Sequence, residues 1–323
     1  METWSKPRKV HFLSIILLFS LLGFAACTGQ SGGGPSQTVP TMQSGTGPIE
    51  PASTVEPDQN LPPKDAKLGD AWTSPADDMV LIYAPAGEFQ MGAREGDEQA
   101  EPDEMPMRTV TLDAFWIDRT EVTNAMFAKF LTAKGNEKWY EAESPDALIS
   151  VLGPEWVVKK GFEDHPVTEV TWSGAQAYCE WAGRRLPTEA QWEKAARGTD
   201  GRVFPWGSTQ PNCSLANHWT GSRSCTDKGP APVGSYQSGA SPYNVWDLAG
   251  NVWEWVADWY SDTYYESAPN ENPTGPGNGS NKVMRGGSFE SGPRTLRASD
   301  RNSEEPGVGR YRLGFRCAMP PPP

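Results

Sequence analysis

Turn-forming residues crowd the second half of this chain and leave little room there for long helices or strands. From Gly198 to Gly287, Pro, Gly, Asn and Ser recur every few residues. These residue types interrupt helices and strands and favour turns. The chain also contains 14 Trp residues, whose large rings are able to order irregular loops by packing between them. The pattern therefore predicts a loop-rich globular domain.

The N-terminus predicts export. Three basic residues precede an almost wholly apolar run that ends in Ala25 and Ala26. This arrangement is typical of a secretory signal peptide over residues 1–26. Cys27 follows directly and resembles the cysteine of a bacterial lipobox, which would become lipidated, whereas plain secretion and an uncleaved anchor are the alternatives. We expect an extracytoplasmic protein of the bacterial cell envelope that is attached to the membrane through a lipid anchor.

Composition separates a tether from the folded part. Residues 27–70 consist mostly of Gly, Ser, Thr, Pro and Gln without hydrophobic periodicity, as in a disordered linker. Residues 71–323 are then one domain. The formal net charge of the chain is −13, and nucleic-acid binders usually carry a basic surface instead. We therefore expect no nucleic-acid partner.

Local patterns predict several strands and helices. Met79–Tyr83 is an apolar strand candidate, which the alternating stretch Gly87–Gly92 would join as a hairpin. Val110–Asp118 is typical of one further strand. A helix is predicted over Asn124–Lys134 with Thr123 as its N-cap.

Two capping boxes predict two further helices. One is Ser173–Gln176, with the helix running to about Ala182, and the other is Thr188–Gln191, with the helix ending before Gly198.

Conventional catalytic motifs are missing from the sequence, but one turn has calcium chemistry. Asp247 and Glu254 place two carboxylates around a turn that contains Gly250. Calcium prefers carboxylate and carbonyl oxygens, and a solvated acidic turn is the alternative. The only two histidines outside the signal are His165 and His218.

Eight stretches in the same order resemble the sulfatase-modifying-factor family, whose type member is the formylglycine-generating enzyme. They cover about residues 77–318, and no single one is long. The stretches are Pro85–Gly92, Phe115–Asn124, His165–Trp172, Ala177–Gly198, Phe204–Gly207, Asp247–Trp255, Arg285–Ser288 and Leu313–Cys317. The resemblance implies an α+β, C-type-lectin-like fold with little regular secondary structure.

The resemblance also implies structural calcium, at one or two sites. The first site would use the side chains of Asp247 and Glu254 with the carbonyls of Gly250 and Val252. The second would use Asn217, the carbonyl of His218, Asp227 and the carbonyl of Gly229. The loop around Asp227 differs in length from the family pattern.

The resemblance assigns the cysteines as well. Cys179 and Cys317 lie at positions that are disulfide-bonded in the type enzyme. Cys213 and Cys225 bracket one loop and would form a second pair. Free buried thiols are the alternative for both pairs. With Cys27 lipidated, every cysteine would be used, as in other exported proteins.

One departure from the family decides the expected chemistry. Oxygen-using members hold Cu(I) between two thiolates a few residues after a Gly-Gly-Ser sequence, and soft thiolates suit that ion. In this chain Ser291 and Leu296 stand at those two positions. We therefore expect no copper and assign no catalytic residue.

Two classes of function remain open. The first is a binding or accessory module for a protein or glycan ligand, with Trp253, Ser288 and Arg297 as candidate ligand-binding residues. Trp253 is alternatively a core residue, and Arg297 a structural ion-pair partner. The second class is an oxidoreductase of the same family that uses a different metal centre or a partner's ligands. The sequence favours the first class.

Overall fold

Short strands joined by long loops make up most of the molecule. The computed structural model describes residues 60–227 and 229–323, and the signal peptide, most of the tether and Cys27 lie outside these residues. The described strands are β1 Ala71–Thr73, β2 Val80–Ala84, β3 Gly87–Met91, β4 Arg108–Leu112, β5 Phe115–Asp118, β6 Ile149–Leu152, β7 Glu155–Val158, β8 Trp253–Trp259, β9 Lys282–Arg285, β10 Arg301–Glu304, β11 Leu313–Phe315 and β12 Ala318–Met319.

Two four-stranded sheets organise the described residues. The first has the order β1-β2-β5-β12 and is antiparallel. The second has the order β10-β9-β8-β11, in which β11 runs parallel to β8. β3 pairs with β4 and β6 with β7 as separate two-stranded units. Since β11 and β12 join different sheets, the two residues between them, Arg316 and Cys317, link the sheets.

Four α-helices complete the described architecture: α1 Asn124–Lys134, α2 Trp172–Trp181, α3 Glu189–Arg197 and α4 Tyr264–Ser267. The predicted Thr123 cap is present, because its hydroxyl accepts the Met126 N–H at 3.3 Å. The predicted capping box at Thr188 is also present. α2 begins earlier than the box at Ser173 predicts, since Thr171 is the N-cap and accepts the Gly174 N–H at 3.2 Å.

The strand predictions were close in position, but the predicted pairing and one predicted strand were wrong. Gly87–Met91 pairs with β4, whereas β2 lies between β1 and β5, so the predicted hairpin does not form. The single strand predicted over Val110–Asp118 is two strands in different sheets. Where the chain changes sheet, the side chain of the distant residue Asn272 accepts the Asp113 N–H at 2.9 Å.

Aromatic rings from α1 and α2 fill the centre of the main core. Phe127 packs against Phe130, Tyr178 and Phe315 with ring centroids 5.3–5.9 Å apart. The disulfide between Cys179 and Cys317 joins α2 to the segment between the sheets. None of the described helices has the length and apolarity that a membrane span needs.

Candidate functional site: a carboxylate cluster beside an aromatic cleft

The turn from Asp247 to Glu254 is a tightly bent segment that lies against a second loop. Asp247, Gly250 and Asn251 all have positive φ, at 57°, 80° and 60°. A Cβ atom on Gly250 would lie 2.2 Å from the carbonyl oxygen of Asn217. Gly250 is therefore required both by the backbone conformation and by the close approach of the two loops.

Glu254 is fixed at the end of this turn by a buried ion pair. Both carboxylate oxygens accept from Arg316, each at 2.7 Å, and one also accepts the Trp192 indole N–H at 2.8 Å. Arg316 is completely buried, and it donates further to three backbone carbonyls. Arg316, in the connection between β11 and β12, thus holds the side chain of Glu254, which is a predicted calcium ligand.

Glu121 is a third carboxylate in the same place, and the sequence reasoning missed it. Its Oε1 accepts from the Asn251 side-chain amide at 2.9 Å, whereas its buried Oε2 has no hydrogen-bond partner in the described structure. Burial and the neighbouring Asp247 and Glu254 carboxylates raise the pKa of Glu121 well above its ordinary value. In the sequence it is only an acid between Thr120 and Val122, two residues before the Thr123 cap.

Asp247 completes the cluster. One of its oxygens accepts the Gly234 N–H at 2.5 Å, and its carboxylate is close enough to Glu121 to raise the pKa of that residue. Burial raises the pKa of Asp247 above its ordinary value, although the Gly234 N–H and Arg316 oppose the rise. Three buried carboxyl groups therefore lie near one guanidinium, which is hydrogen-bonded to Glu254 alone among them, and the three would outweigh its charge if all were ionised.

This donor set fits calcium. The cluster offers hard oxygens, carboxyl groups that a cation would hold in their ionised form, and a buried oxygen of Glu121 without a hydrogen-bond partner. Calcium requires oxygen ligands and tolerates irregular geometry, and a bound divalent cation would relieve the desolvated charge. The predicted residues Asp247, Gly250, Val252 and Glu254 all belong to this turn, and Glu121, in the connection between β5 and α1, is the additional acid beside it.

The residues of the second predicted calcium site are already bonded to protein groups. The Asn217 side-chain oxygen accepts the backbone N–H and the hydroxyl of Thr226, both at 3.3 Å. The Cys225 N–H donates to the carbonyl of His218 at 3.0 Å. The carbonyl of Gly229 accepts from the Asn217 amide at 3.1 Å.

Asp227, the charged ligand of that second site, points elsewhere. Its side chain is 66% exposed and pairs with Arg223 at 3.4 Å. Thr226, and not Asp227, meets Asn217. The structure therefore brings three of the four predicted residues together and leaves the only carboxylate at the surface.

The loop that would carry copper in the family is closed by serine hydroxyls here. Ser291 Oγ accepts the Ser288 N–H at 2.9 Å, and the two hydroxyls are 3.4 Å apart. No imidazole or carboxylate of the described residues is hydrogen-bonded to either hydroxyl. Neither serine is therefore activated as a nucleophile by a neighbouring base.

The donor set at the copper position does not fit copper. Leu296 is fully buried in a small apolar cluster with Phe204, Ala216 and Ala249. The predicted disulfides Cys179–Cys317 and Cys213–Cys225 are both present, so every cysteine of the described residues is paired. Thiolates are consequently missing where Cu(I) would need them.

The three predicted ligand-binding residues do not meet at one surface. Trp253 is 4% exposed and belongs to the main core. Arg297 is 1% exposed and forms a two-pronged ion pair with Glu104, at 2.5 and 2.7 Å, beside a separate polar cavity. Ser288 is buried under its own loop. Core packing and ion pairing account for the first two residues.

A cleft of about 370 Å³ opens beside the next residue of this loop, Phe289. Its volume lies in the range of small-ligand sites. The residues that line it are Pro145, Asp146, Ala147, Leu148, Lys159, Phe162, His165, Thr168, Gly229, Pro230, Phe289 and Tyr311.

Aromatic rings, an ammonium group and an imidazole give this cleft its chemistry. The Lys159 ammonium lies 5.4 Å from the centre of the Phe162 ring, and Phe162 packs on His165 at 4.9 Å. The Phe289 and Tyr311 rings meet edge to face at 6.0 Å. His165 Nδ1 is buried without a partner, and burial lowers the pKa of this imidazole. The cleft thus combines apolar faces with donors and acceptors for a polar ligand.

The fold and the site together define a C-type-lectin-like domain of the α+β class. The solved structure of PvdO from Pseudomonas aeruginosa is similar over 78% of this chain and 98% of that one, with a TM-score of 0.66 and 26% identity. Treponema denticola variable protein 1 shares the fold, with a TM-score of 0.59 and 24% identity over 78% of this chain and 99% of its own.

Sequence comparison assigns the family within that fold. Residues 65–320 match the sulfatase-modifying factor enzyme 1-like domain, and the chain belongs to this family. The formylglycine-generating enzyme of Streptomyces coelicolor is 38% identical over 73% of this chain and 88% of its own length. The hercynine oxygenase of Mycolicibacterium smegmatis is 34% identical over 73% of this chain and 60% of its own length.

Proposed function

We propose that this chain is a lipid-anchored, extracytoplasmic binding module of the family, with structural calcium and without copper chemistry. The observation that carries the proposal is the identity of the two residues at the copper positions of the family. Ser291 Oγ is bonded to the Ser288 N–H, and Leu296 is buried in an apolar cluster. Two disulfides use the described cysteines, so no thiol of the described residues is free to replace them.

The cleft beside Phe289 is the proposed binding site. Lys159 supplies a positive charge and Asp146 a negative one, His165 and Thr168 supply hydrogen-bonding groups, and the Phe162 and Phe289 rings supply flat apolar faces. This combination suits a polar ligand with an anionic group, of the glycan or peptide type. The ammonium would face the anion while the rings cover the apolar part of the ligand.

The calcium in this proposal has a structural role. The side chains of Glu121, Asp247 and Glu254 and the carbonyls of Gly250 and Val252 would hold it. When bound, the cation would neutralise the buried carboxylates and fix the turn against the Asn217 loop, which abuts Gly250. Because calcium would bind the native state and not the unfolded chain, it would stabilise the fold.

A paired activity and binding assay tests the function. The purified protein, with its disulfides intact, is incubated with Cu(I) and a cysteine-containing sulfatase peptide, and formylglycine is sought by mass spectrometry. We expect no conversion and no stoichiometric copper. In parallel, the protein is screened against arrays of acidic glycans and acidic peptides. We expect binding that Lys159→Ala and Phe289→Ala each weaken at least tenfold, about 1.4 kcal/mol.

Lys160→Ala is the matched control for the binding assay. Lys160 is the exposed neighbour of Lys159 and does not line the cleft, so its removal should leave affinity unchanged. Equal losses for the two lysine variants would mean that charge acts non-specifically and would contradict the cleft assignment. Conversion of the peptide cysteine by the wild-type protein would contradict the proposal as a whole.

Lipid attachment has its own test. Cells that produce the protein are labelled with an alkynyl fatty acid, and the purified chain is examined for incorporation. We expect label on the wild type and none on Cys27→Ser. Equal labelling of the two proteins would contradict the anchor at Cys27.

A further inference from the structure

A short disulfide loop carries a histidine whose side chain belongs neither to the proposed calcium site nor to the cleft. It lies beside the loop Gly286–Arg297, which contains the two copper positions of the family and is called the copper-position loop below. Cys213 and Cys225 are bonded across 12 residues. A ring nitrogen of His218 and the two sulfur atoms all lie within 4.8 Å of one another. Ligand atoms around one tetrahedral Zn²⁺ lie within about 4 Å of each other, given Zn–S and Zn–N bonds of about 2.3 and 2.0 Å. Small movements would therefore bring all three donors onto one cation.

The hydrogen bond of His218 fixes which nitrogen is free. Nδ1 lies 3.0 Å from the carbonyl oxygen of Trp219. A carbonyl oxygen only accepts, so Nδ1 carries the proton and Nε2 keeps its lone pair. Nε2 is buried without a hydrogen-bond partner, in a side chain only 3% exposed. A backbone carbonyl that orients one ring nitrogen and leaves the other unbonded is the usual setting of a metal-binding histidine.

The two disulfides differ in their access to a reductant. Cys179 and Cys317 are both 0% exposed, whereas Cys213 is exposed and Cys225 is half-buried. A dithiol in solvent would therefore reach the second disulfide and not the first. The loop has backbone contacts that do not need the S–S bond, because the Cys225 N–H donates to the His218 carbonyl at 3.0 Å.

We propose that Cys213, His218 and Cys225 form a redox-gated site for a thiophilic divalent cation of the Zn²⁺ type. A dithiol reduces the disulfide: two electrons and two protons pass to the sulfurs, the S–S bond breaks, and the dithiol becomes its own disulfide. The cation then displaces the two thiol protons and binds two thiolates and the neutral imidazole. Three protein ligands leave the fourth position for water.

The proposed metal site is linked to the copper-position loop by a backbone hydrogen bond. The Trp219 N–H, one residue after His218, donates to the carbonyl of Ser291 at 2.9 Å. A cation bound at His218 would thus lie one residue and one hydrogen bond from the loop that leads to the cleft through Phe289. This site uses the side chain of His218, whereas the second predicted calcium site uses its carbonyl, so the two assignments are separate.

Cobalt binding to the reduced protein tests the proposal. The full chain is treated with dithiothreitol under native conditions, freed of it anaerobically, and assayed for thiols. We expect two more thiols than in the untreated protein. Titration with Co²⁺ should then give one equivalent with a thiolate-to-cobalt charge-transfer band, which carboxylate sites cannot produce. His218→Gln should weaken the affinity of the reduced protein at least tenfold, whereas His165→Gln should leave it unchanged.

Alkylation keeps the test valid if a variant fails to fold. Iodoacetamide treatment of the reduced wild type should remove the band while leaving the circular dichroism spectrum unchanged. The proposal is overturned if the reduced wild type shows no charge-transfer band, if the oxidised protein binds Co²⁺ equally well, or if His218→Gln binds as tightly as the wild type.

Discussion

The turn Asp247–Glu254 and the loop Gly286–Arg297 lie side by side and have opposite chemistry. They are joined by backbone hydrogen bonds, from the Gly250 N–H to the Gly286 carbonyl at 2.8 Å and from the Phe289 N–H to the Asn251 carbonyl at 2.9 Å. Both use positive-φ residues to turn sharply. The turn carries buried carboxyl groups as oxygen donors, whereas the loop has a hydroxyl and a leucine at the positions where family members carry thiolates.

The comparison shows that this backbone framework does not depend on the copper chemistry. Main-chain bonds, glycines and the Ser288–Ser291 contact hold the loop in place. The turn, in contrast, depends on a cation, because its buried carboxylates need a counter-charge when they are ionised. Arg316 provides part of it, and we propose that calcium provides the rest.

The largest expected effect follows from removing the ion pair that anchors the turn. Glu254→Ala would leave Arg316 buried without its bidentate partner, which costs about 3–5 kcal/mol in similar cases. Urea unfolding monitored by fluorescence would measure the loss. Glu290→Ala is the matched control in the loop, where Glu290 forms a half-exposed pair with Arg312 and the expected cost is about 0–1 kcal/mol. Similar losses for both variants would contradict the contrast between turn and loop.

Calcium removal gives the next largest effect. A ligand present at about 100 times its Kd stabilises the native state by about 2.7 kcal/mol, which corresponds to a Tm increase of about 5–10 °C for a domain of this size. We therefore expect EDTA to lower the wild-type Tm by that amount. Asp247→Ala should have a low Tm that EDTA does not change.

Asp227→Ala separates the two predicted calcium sites. Since the Asp227 side chain is exposed and turned towards Arg223, its removal should leave the EDTA response intact. If EDTA does not change the Tm of the wild type, the calcium assignment fails. If only Asp227→Ala loses the response, the cation belongs to the second loop.

The last variant should produce a gain of function in the loop at a smaller cost in stability than Glu254→Ala. In the double variant Ser291→Cys, Leu296→Cys, two thiols would occupy the family's copper positions. Truncating the buried Leu296 should cost about 1–3 kcal/mol. We expect the variant to bind about one Cu(I) more than wild-type protein treated in the same way, because thiolates suit that ion. Equal copper in both proteins would show that the loop has lost the geometry as well as the ligands.

Elements defined by local signals could be predicted from the sequence. α1 runs over the predicted residues because Thr123 caps it and Gly135 ends it. The Thr188 capping box likewise placed α3. The carboxylates Asp247 and Glu254 were also identified, since one short turn carries both and its motif resembles the family's.

Features that depend on distant parts of the chain could not be predicted. The pairing of β3 with β4 instead of β2 depends on which sheet each strand joins. Glu121 enters the carboxylate cluster only because β5 lies beside β12, which places Arg316 nearby. The cleft combines residues 145–168 with Phe289 and Tyr311, and no local pattern links these segments.

Elemental analysis of the purified protein, with its disulfides intact, tests the central claim most directly. Calcium and copper are measured together in wild type and in Asp247→Ala after exposure to both ions. The account predicts about one calcium per chain in the wild type, less in Asp247→Ala, and no stoichiometric copper in either protein. Copper near one per chain in the wild type, or calcium that is the same in both proteins, would contradict it.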